Sequence, residues 1–297
     1  MRTPFQLRRR VPALAAATLL VGWLVSHHQR AHASLTYGAA VHSLVAAHRG
    51  GYFGAQNVLR QFRATMAAGA SDILEMDLHA TRDGVVLVYH DPTLDSKTQC
   101  HGSIEDRDYP ALRRCRLPEG DPLARFGDVL DAARGKVLVD AEFKTDAVIA
   151  PAVRMAMEKG ALGYTYFQTQ GDRHKYRLAR AISPDVRLQF KTSDEADLDW
   201  ALSLHDPALV VLEMSPEFAT PGHIRRIHAA GKLVSVNSWR YQMLEERLDA
   251  SCDSVFARSI DIAVTNNPGK CSAQRTRPRD VALRLDEVIA PRPGHHA

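Results

Sequence analysis

Acidic residues are absent from the first 33 positions of this 297-residue chain, although Arg2, Arg8, Arg9, Arg10 and Arg30 all fall there. The formal net charge of +4 looks like that of a binder of nucleic acid or anionic lipid. That excess is local. The remaining 264 positions carry 33 Lys and Arg against 34 Asp and Glu, a net of −1. There is no basic patch interleaved with aromatics, which removes nucleic acid as a partner. No apolar run reaches the ~20 residues that span a bilayer, no repeat of ~20–50 residues marks a solenoid, and no low-complexity tract marks a disordered chain. Cysteine is scarce: the four residues Cys100, Cys115, Cys252 and Cys271 include no C-x-x-C pair, which argues against zinc or redox chemistry.

What is present begins with a leader. Arg8-Arg9-Arg10, an apolar run over Val11–Val25 and Ala31-His32-Ala33 before Ser34 form the charged, apolar and small-residue regions of a secretory signal peptide. The expected organisation is a signal peptide over 1–33, one domain over 34–271 and a loose tail over 272–297. Export places the protein in the periplasm or outside the cell; an uncleaved membrane anchor is the second reading. In such a compartment the cysteines are expected to pair as disulfides, with the sequential pairing Cys100–Cys115 and Cys252–Cys271 as first choice.

From residue 44 onward, short apolar runs alternate with helical patterns. Strands are expected at Leu44–Ala47, Asp72–Leu78, Val85–Tyr89, Val137–Phe143, Gly163–Phe167, Val186–Phe190, Leu209–Leu212, Leu233–Val236 and Ile262–Thr265. Helices are expected at Val58–Ala68, Ala147–Glu158, Arg173–Ala181, Ala196–Leu204, Pro216–Ala229 and Tyr241–Leu248. An unbroken strand–helix series of this length favours a TIM (β/α)8 barrel over an open sheet. Asp83-Gly84 signals a hairpin beside one barrel strand, and the polar stretch 95–125 reads as an excursion over one end.

Polar residues collect where strands end, which is where barrel enzymes keep their chemistry. Val45-Ala46-Ala47 runs into His48-Arg49-Gly50-Gly51, Val85–Tyr89 into His90-Asp91, and Val137–Val139 into Asp140–Lys144. Glu75 and Asp77 lie two apart on a strand and so share a face, as do Glu142 and Lys144. Three carboxylates converging inside a barrel are costly unless paired or bound to a cation. Glu75, Asp77 and Glu142 therefore suit a hard divalent ion, Ca²⁺ or Mg²⁺; the other reading is a metal-free ion-pair network with Arg49 or Lys144. His48 and His90, each after a strand and beside a charged residue, suit general acid–base work.

Taken in order, His48-Arg49-Gly50, Glu75-Met76-Asp77, Thr81-Arg82-Asp83-Gly84, His90-Asp91-Pro92-Thr93-Leu94-Asp95 and Glu142-Phe143-Lys144 resemble the glycerophosphodiester phosphodiesterase family. The resemblance implies a TIM barrel with a short insertion after the H-D motif. It also implies a divalent ion on Glu75, Asp77 and Glu142, an acid–base pair of His48 and His90, and Arg49 and Lys144 on the phosphate. Asn237 and Trp239 become candidate substrate-wall residues. The implied reaction is hydrolysis of a glycerophosphodiester to an alcohol and glycerol 3-phosphate, with no stable protein partner. A phospholipase D-like activity on lysophospholipid or sphingomyelin is the alternative, for which Phe53, Trp239 and Tyr241 would rim the site; a non-catalytic ligand-binding barrel is the third reading. Departures from the family pattern are Gln56-Asn57-Val58 for E-N-T, Leu94-Asp95-Ser96-Lys97-Thr98 for L-D-R-T-T, and Thr265-Asn266-Asn267-Pro268 for T-D-x-P.

Overall fold

Strands buried on both faces are rich in apolar residues, and the strands here are, apart from polar and charged groups such as Glu75, Asp77, Asp140 and Glu142. The structure, a computed structural model, describes residues 43–51, 55–238 and 252–275. The leader, Phe53, Trp239, the segment around Tyr241–Leu248 and the tail beyond 275 lie outside the described residues. The strands are β1 (Leu44–Ala47), β2 (Ile73–Ala80), β3 (Val86–Val88), β4 (Ala124–Arg125), β5 (Leu138–Phe143), β6 (Thr165–Gln168), β7 (Leu188–Thr192), β8 (Leu209–Met214), β9 (Leu233–Asn237) and β10 (Ile262–Thr265). Pairing runs β1-β10-β9-β8-β7-β6-β5-β2 and closes through β1–β2, giving a ring of eight parallel strands. This is the TIM barrel expected from the strand–helix alternation. β3 and β4 extend β2 antiparallel, outside the ring, as the Asp83-Gly84 turn predicted.

Around the ring lie α1 (Leu59–Ala67), α2 (Phe126–Ala133), α3 (Ile149–Glu158), α4 (Arg173–Ile182), α5 (Glu195–Ser203), α6 (Pro221–Ala229), α7 (Cys252–Ala257) and α8 (Pro268–Gln274). Capping sets where several begin. Asp172 accepts from the backbone N–H groups of His174 at 2.7 Å and Lys175 at 3.2 Å. Thr220 caps α6 with Pro221 at its first position, so this helix starts five residues later than the apolar pattern suggests. Helix α2 was not among the expected helices, although Phe126, Val129, Leu130 and Ala133 form its buried stripe at helical spacing.

The excursion over 95–125 is real but not merely polar. Leu94, Ile104, Leu112, Cys115, Leu117 and Leu123 pack with Val58, Leu87 and Tyr89 into a second small core. The structure bonds Cys100 to Cys115 and Cys252 to Cys271. The boundary expected at 272 falls inside α8. Ser272 Oγ donates to the Ala70 carbonyl at 2.8 Å, and Arg275 Nη1 reaches Asp72 Oδ1 at 3.0 Å, so residues 272–275 are docked on the barrel rather than loose. Among the described residues no helix is long and apolar enough to cross a membrane.

Candidate active site

Register decides which side chains meet inside the ring. Glu75 pairs with Asp140 and Asp77 with Glu142 across β2 and β5, and Glu142 with Gln168 across β5 and β6. Partners in a parallel ladder face the same side, so these groups share the barrel interior near the C-terminal ends of the strands. Carboxylate oxygens of Glu75, Asp77 and Glu142 all lie within 4.8 Å of one another.

The turn after β1 sets the next two residues. His48–Gly50 forms one 3₁₀ turn with Arg49 at φ 50°, followed by Gly50 at φ 89° and Gly51 at φ 93°. A Cβ at Gly50 would sit 2.9 Å from Phe62 Cδ1, and one at Gly51 2.8 Å from Pro268 Cγ, so neither position accommodates a side chain. The turn aims the Arg49 backbone N–H at Glu75 Oε2, 2.8 Å away. It also places Arg49 Nε 3.3 Å from Asp77 Oδ2.

The two histidines have unlike settings. His48 Nδ1 lies 2.6 Å from Asn266 Oδ1, which accepts the ring N–H, and its Nε2 is 4.0 Å from Glu75 Oε2. Burial, with the Arg49 charge beside it, lowers the His48 pKa to about 4. His90 is more open, with a third of its side chain exposed (34%), and its Nδ1 donates to Asp91 Oδ1 at 2.7 Å. Asp91 also accepts from Ser96 Oγ at 2.7 Å and Lys97 Nζ at 3.0 Å. Burial works against its charge, but these donors outweigh it and hold the carboxyl well below the usual range.

Lys144 Nζ reaches Glu142 Oε1 at 2.7 Å and Asp77 Oδ1 at 3.4 Å. Burial disfavours its charge, yet the two carboxylates outweigh burial and raise its pKa. The ion-pair network considered from the sequence is thus present in part. It leaves three carboxylates facing two cations. Burial raises the Glu75 pKa well above the ordinary value, and Asp77, Asp140 and Glu142 add to the shift. A buried, oxygen-only cluster with unbalanced negative charge fits a hard divalent cation.

Sequence reading named no role for three neighbours. Asn57 Nδ2 donates to Asp77 Oδ2 at 2.7 Å, Gln170 Nε2 to Glu142 Oε2 at 3.0 Å, and Asn266 holds His48. Asn57 and Asn266 lie within motif departures, which was their only signal. Gln56, in place of the family glutamate, accepts from Arg49 Nη1 at 3.3 Å and is not one of the three clustered carboxylate residues. Asn237 ends β9 half-buried, opposite Val264 of β10.

Comparisons with known proteins agree with this geometry. The sequence model of the glycerophosphoryl diester phosphodiesterase family matches residues 48–269. The chain is 24% identical over 207 residues to the protein named Probable glycerophosphodiester phosphodiesterase 2 of Mycobacterium tuberculosis, covering 64% of this chain and 76% of that one. A glycerophosphoryl diester phosphodiesterase structure from Parabacteroides distasonis matches with a TM-score of 0.68 at 18% identity, over 88% of this chain and 92% of that one. A phosphodiesterase from Oleispira antarctica, solved in complex with the product sn-glycerol-3-phosphate, matches with a TM-score of 0.63 at 18% identity, over 78% and 96%. With the family match running over three quarters of its length, from His48 to Gly269, the chain belongs to the glycerophosphoryl diester phosphodiesterase family of phosphoric diester hydrolases.

Proposed function

We propose that this protein is an exported, metal-dependent enzyme that hydrolyses glycerophosphodiesters to an alcohol and glycerol 3-phosphate, with His48 and His90 as its acid–base pair. The observation that carries the reading is the opposed setting of two imidazoles at the same end of one barrel. Burial and Arg49 favour neutral His48, which Asn266 holds at Nδ1 and which takes its proton at Nε2. Asp91 accepts from Nδ1 of His90 and orients that more open ring, leaving Nε2 as the proton donor of the reading. The buried imidazole, kept neutral, is the base, and the open, carboxylate-anchored one is the acid.

His48 Nε2 takes the proton of the attacking water as its oxygen bonds to phosphorus. The P–O bond to the alcohol breaks, and His90 Nε2 supplies that oxygen with a proton. Arg49 and Lys144, both held at the rim of the carboxylate cluster, face the non-bridging phosphoryl oxygens and offset the charge that grows on them. Glu75, Asp77 and Glu142 would hold Ca²⁺ or Mg²⁺, which supplies Lewis-acid polarisation of the phosphoryl group. The disulfides support export into an oxidising compartment.

A product assay on glycerophosphocholine tests the reading. His48→Ala and His90→Ala are each expected to lower kcat by ~10²–10⁴-fold, the usual worth of a positioned proton carrier, with the thermal unfolding midpoint little changed. A folded variant that keeps a near-native rate overturns the assignment of that histidine. EDTA is expected to abolish turnover, and Ca²⁺ or Mg²⁺ to restore it.

A further inference from the structure

A cavity of about 300 Å³ opens on the His90 side of the site, bounded among the described residues by Ala55, Gln56, Tyr89, Lys97 and the Leu117-Pro118-Glu119 turn of the insertion, with His90 itself in the wall. That is roughly ten times the ~30 Å³ share of a liquid water molecule, room for a headgroup rather than a long acyl chain.

The turn is stiff, and several independent ties fix it. Gly120 N donates to the Leu117 carbonyl at 2.8 Å and Leu117 N to the Asp121 carbonyl at 2.9 Å, closing a tight reversal with Pro118 at its second position. Cys115, two residues before Leu117, is bonded to Cys100. Asp121 is gripped by Arg60 through Nε at 3.1 Å and Nη2 at 2.6 Å. Glu119 is thereby presented on a rigid tip, and its carboxylate forms no hydrogen bond or ion pair with any described residue. The other charges around the cavity are already matched, since Lys97 and His90 both engage Asp91. A carboxylate with no direct hydrogen-bond or ion-pair partner among the described residues, its charge felt only at longer range by Arg60, beside the apolar surfaces of Leu117, Pro118 and Ala55, is the combination that suits an alkylated cation, which needs both a counter-charge and contact for its methyl groups.

We propose that the cavity between the insertion and His90 receives the alcohol arm of the phosphodiester, and that Glu119 selects an arm carrying an alkylammonium group. This rests on the phosphodiesterase reading above, and adds to it a specificity-determining residue outside the carboxylate and histidine set.

The test is a ratio. Glycerophosphocholine and glycerophosphoglycerol share the phosphodiester and one glycerol arm and differ in the charge of the other arm. The kcat/KM ratio of the first over the second is measured for the natural protein, Glu119→Gln and Glu119→Lys. Removal of one partly solvated counter-charge is expected to lower the ratio roughly three- to tenfold in Glu119→Gln, through KM for the choline diester. Glu119→Lys is expected to lower it further. A purely structural role for the turn would move both substrates together and leave the ratio fixed, so an unchanged ratio in both variants overturns the inference while the phosphodiesterase reading stands. Failure of the natural protein, supplied with divalent ion, to cleave either diester overturns that reading and the inference with it.

Discussion

His48 and His90 are the same residue type in different settings, because their Nδ1 partners differ, a neutral amide from Asn266 and a carboxylate from Asp91. Asn266 stands where the family pattern has aspartate, so this chain gives its more buried imidazole an uncharged partner, whose hydrogen bond raises the His48 pKa but does not outweigh burial and the Arg49 charge. Restoring the carboxylate tests the idea. In Asn266→Asp an anion would stabilise the His48 imidazolium, moving its pKa up from about 4 towards the ordinary value. The acid limb of the kcat/KM profile against pH is then expected to shift upward by roughly one unit or more. An unmoved limb would exclude His48 as the group whose protonation limits activity. His48, Arg49, Glu75, Asp77, His90, Glu142 and Lys144 are all named by strand-end position and two-residue parity, and the structure brings the carboxylates of Glu75, Asp77 and Glu142 together. Their supporting amides were not, because the His48–Asn266 contact joins positions 218 residues apart and only the closed barrel brings them together.

Elements were legible in proportion to how much local chemistry declares them. The barrel strands are apolar-rich runs interrupted by interior-facing polar groups, and their existence followed from the sequence with shifts of a few residues at the ends. The start of α6 was misplaced because the apolar pattern extends through 216–220, while the Thr220-Pro221 cap begins the helix. The insertion reads as polar because its core residues are scattered singly among charged ones, and they bury only against Val58, Leu87 and Tyr89 of the barrel side. The turn after β1 is the clearest case of an element written in its sequence. It requires consecutive left-handed residues, and Gly50 fills a crowded one of them against Phe62. Gly50→Ala adds a Cβ at φ 89° with Phe62 2.9 Å away, and strain of this kind costs about 1–3 kcal/mol. The substitution is expected to lower the unfolding midpoint and, because His48 and Arg49 ride on the same turn, to lower kcat/KM as well. Loss of stability with unchanged kcat/KM in the folded fraction would show that the turn does not position those two side chains.

For the whole molecule, the charge that matters is inside the barrel rather than in the +4 of the full chain. Besides the clustered carboxylates, Asp140 and Glu213 are buried on the same interior face, Asp140 bonded by Gln168 at 2.7 Å and Glu213 by Gln189 at 2.9 Å. Burial raises the pKa of Glu75, Asp140 and Glu213 alike. A carboxyl whose folded pKa is raised supports the fold while protonated and loses that support as pH rises through the folded value, because the unfolded chain ionises more readily. His48 acts in the opposite sense: with its folded pKa lowered to about 4, its contribution is full above the ordinary 6.5 and fades as pH falls towards 4. A divalent ion on Glu75, Asp77 and Glu142 binds the ionised cluster, so it repairs the loss at high pH and has little to bind when the cluster holds a proton. The size of the ion-induced shift in the unfolding midpoint, measured at one pH with EDTA and with excess Mg²⁺ or Ca²⁺, isolates this effect from that of His48. At pH 8, with the ion at a hundred times its Kd, linkage gives ~2.7 kcal/mol, or roughly 5–10 °C for a domain of this size. At pH 5 the shift is expected to be much smaller. An equal shift at both pH values, or none at pH 8, would mean that the carboxylates of β2 and β5 are balanced by Arg49 and Lys144 alone and that the barrel needs no metal to hold them together.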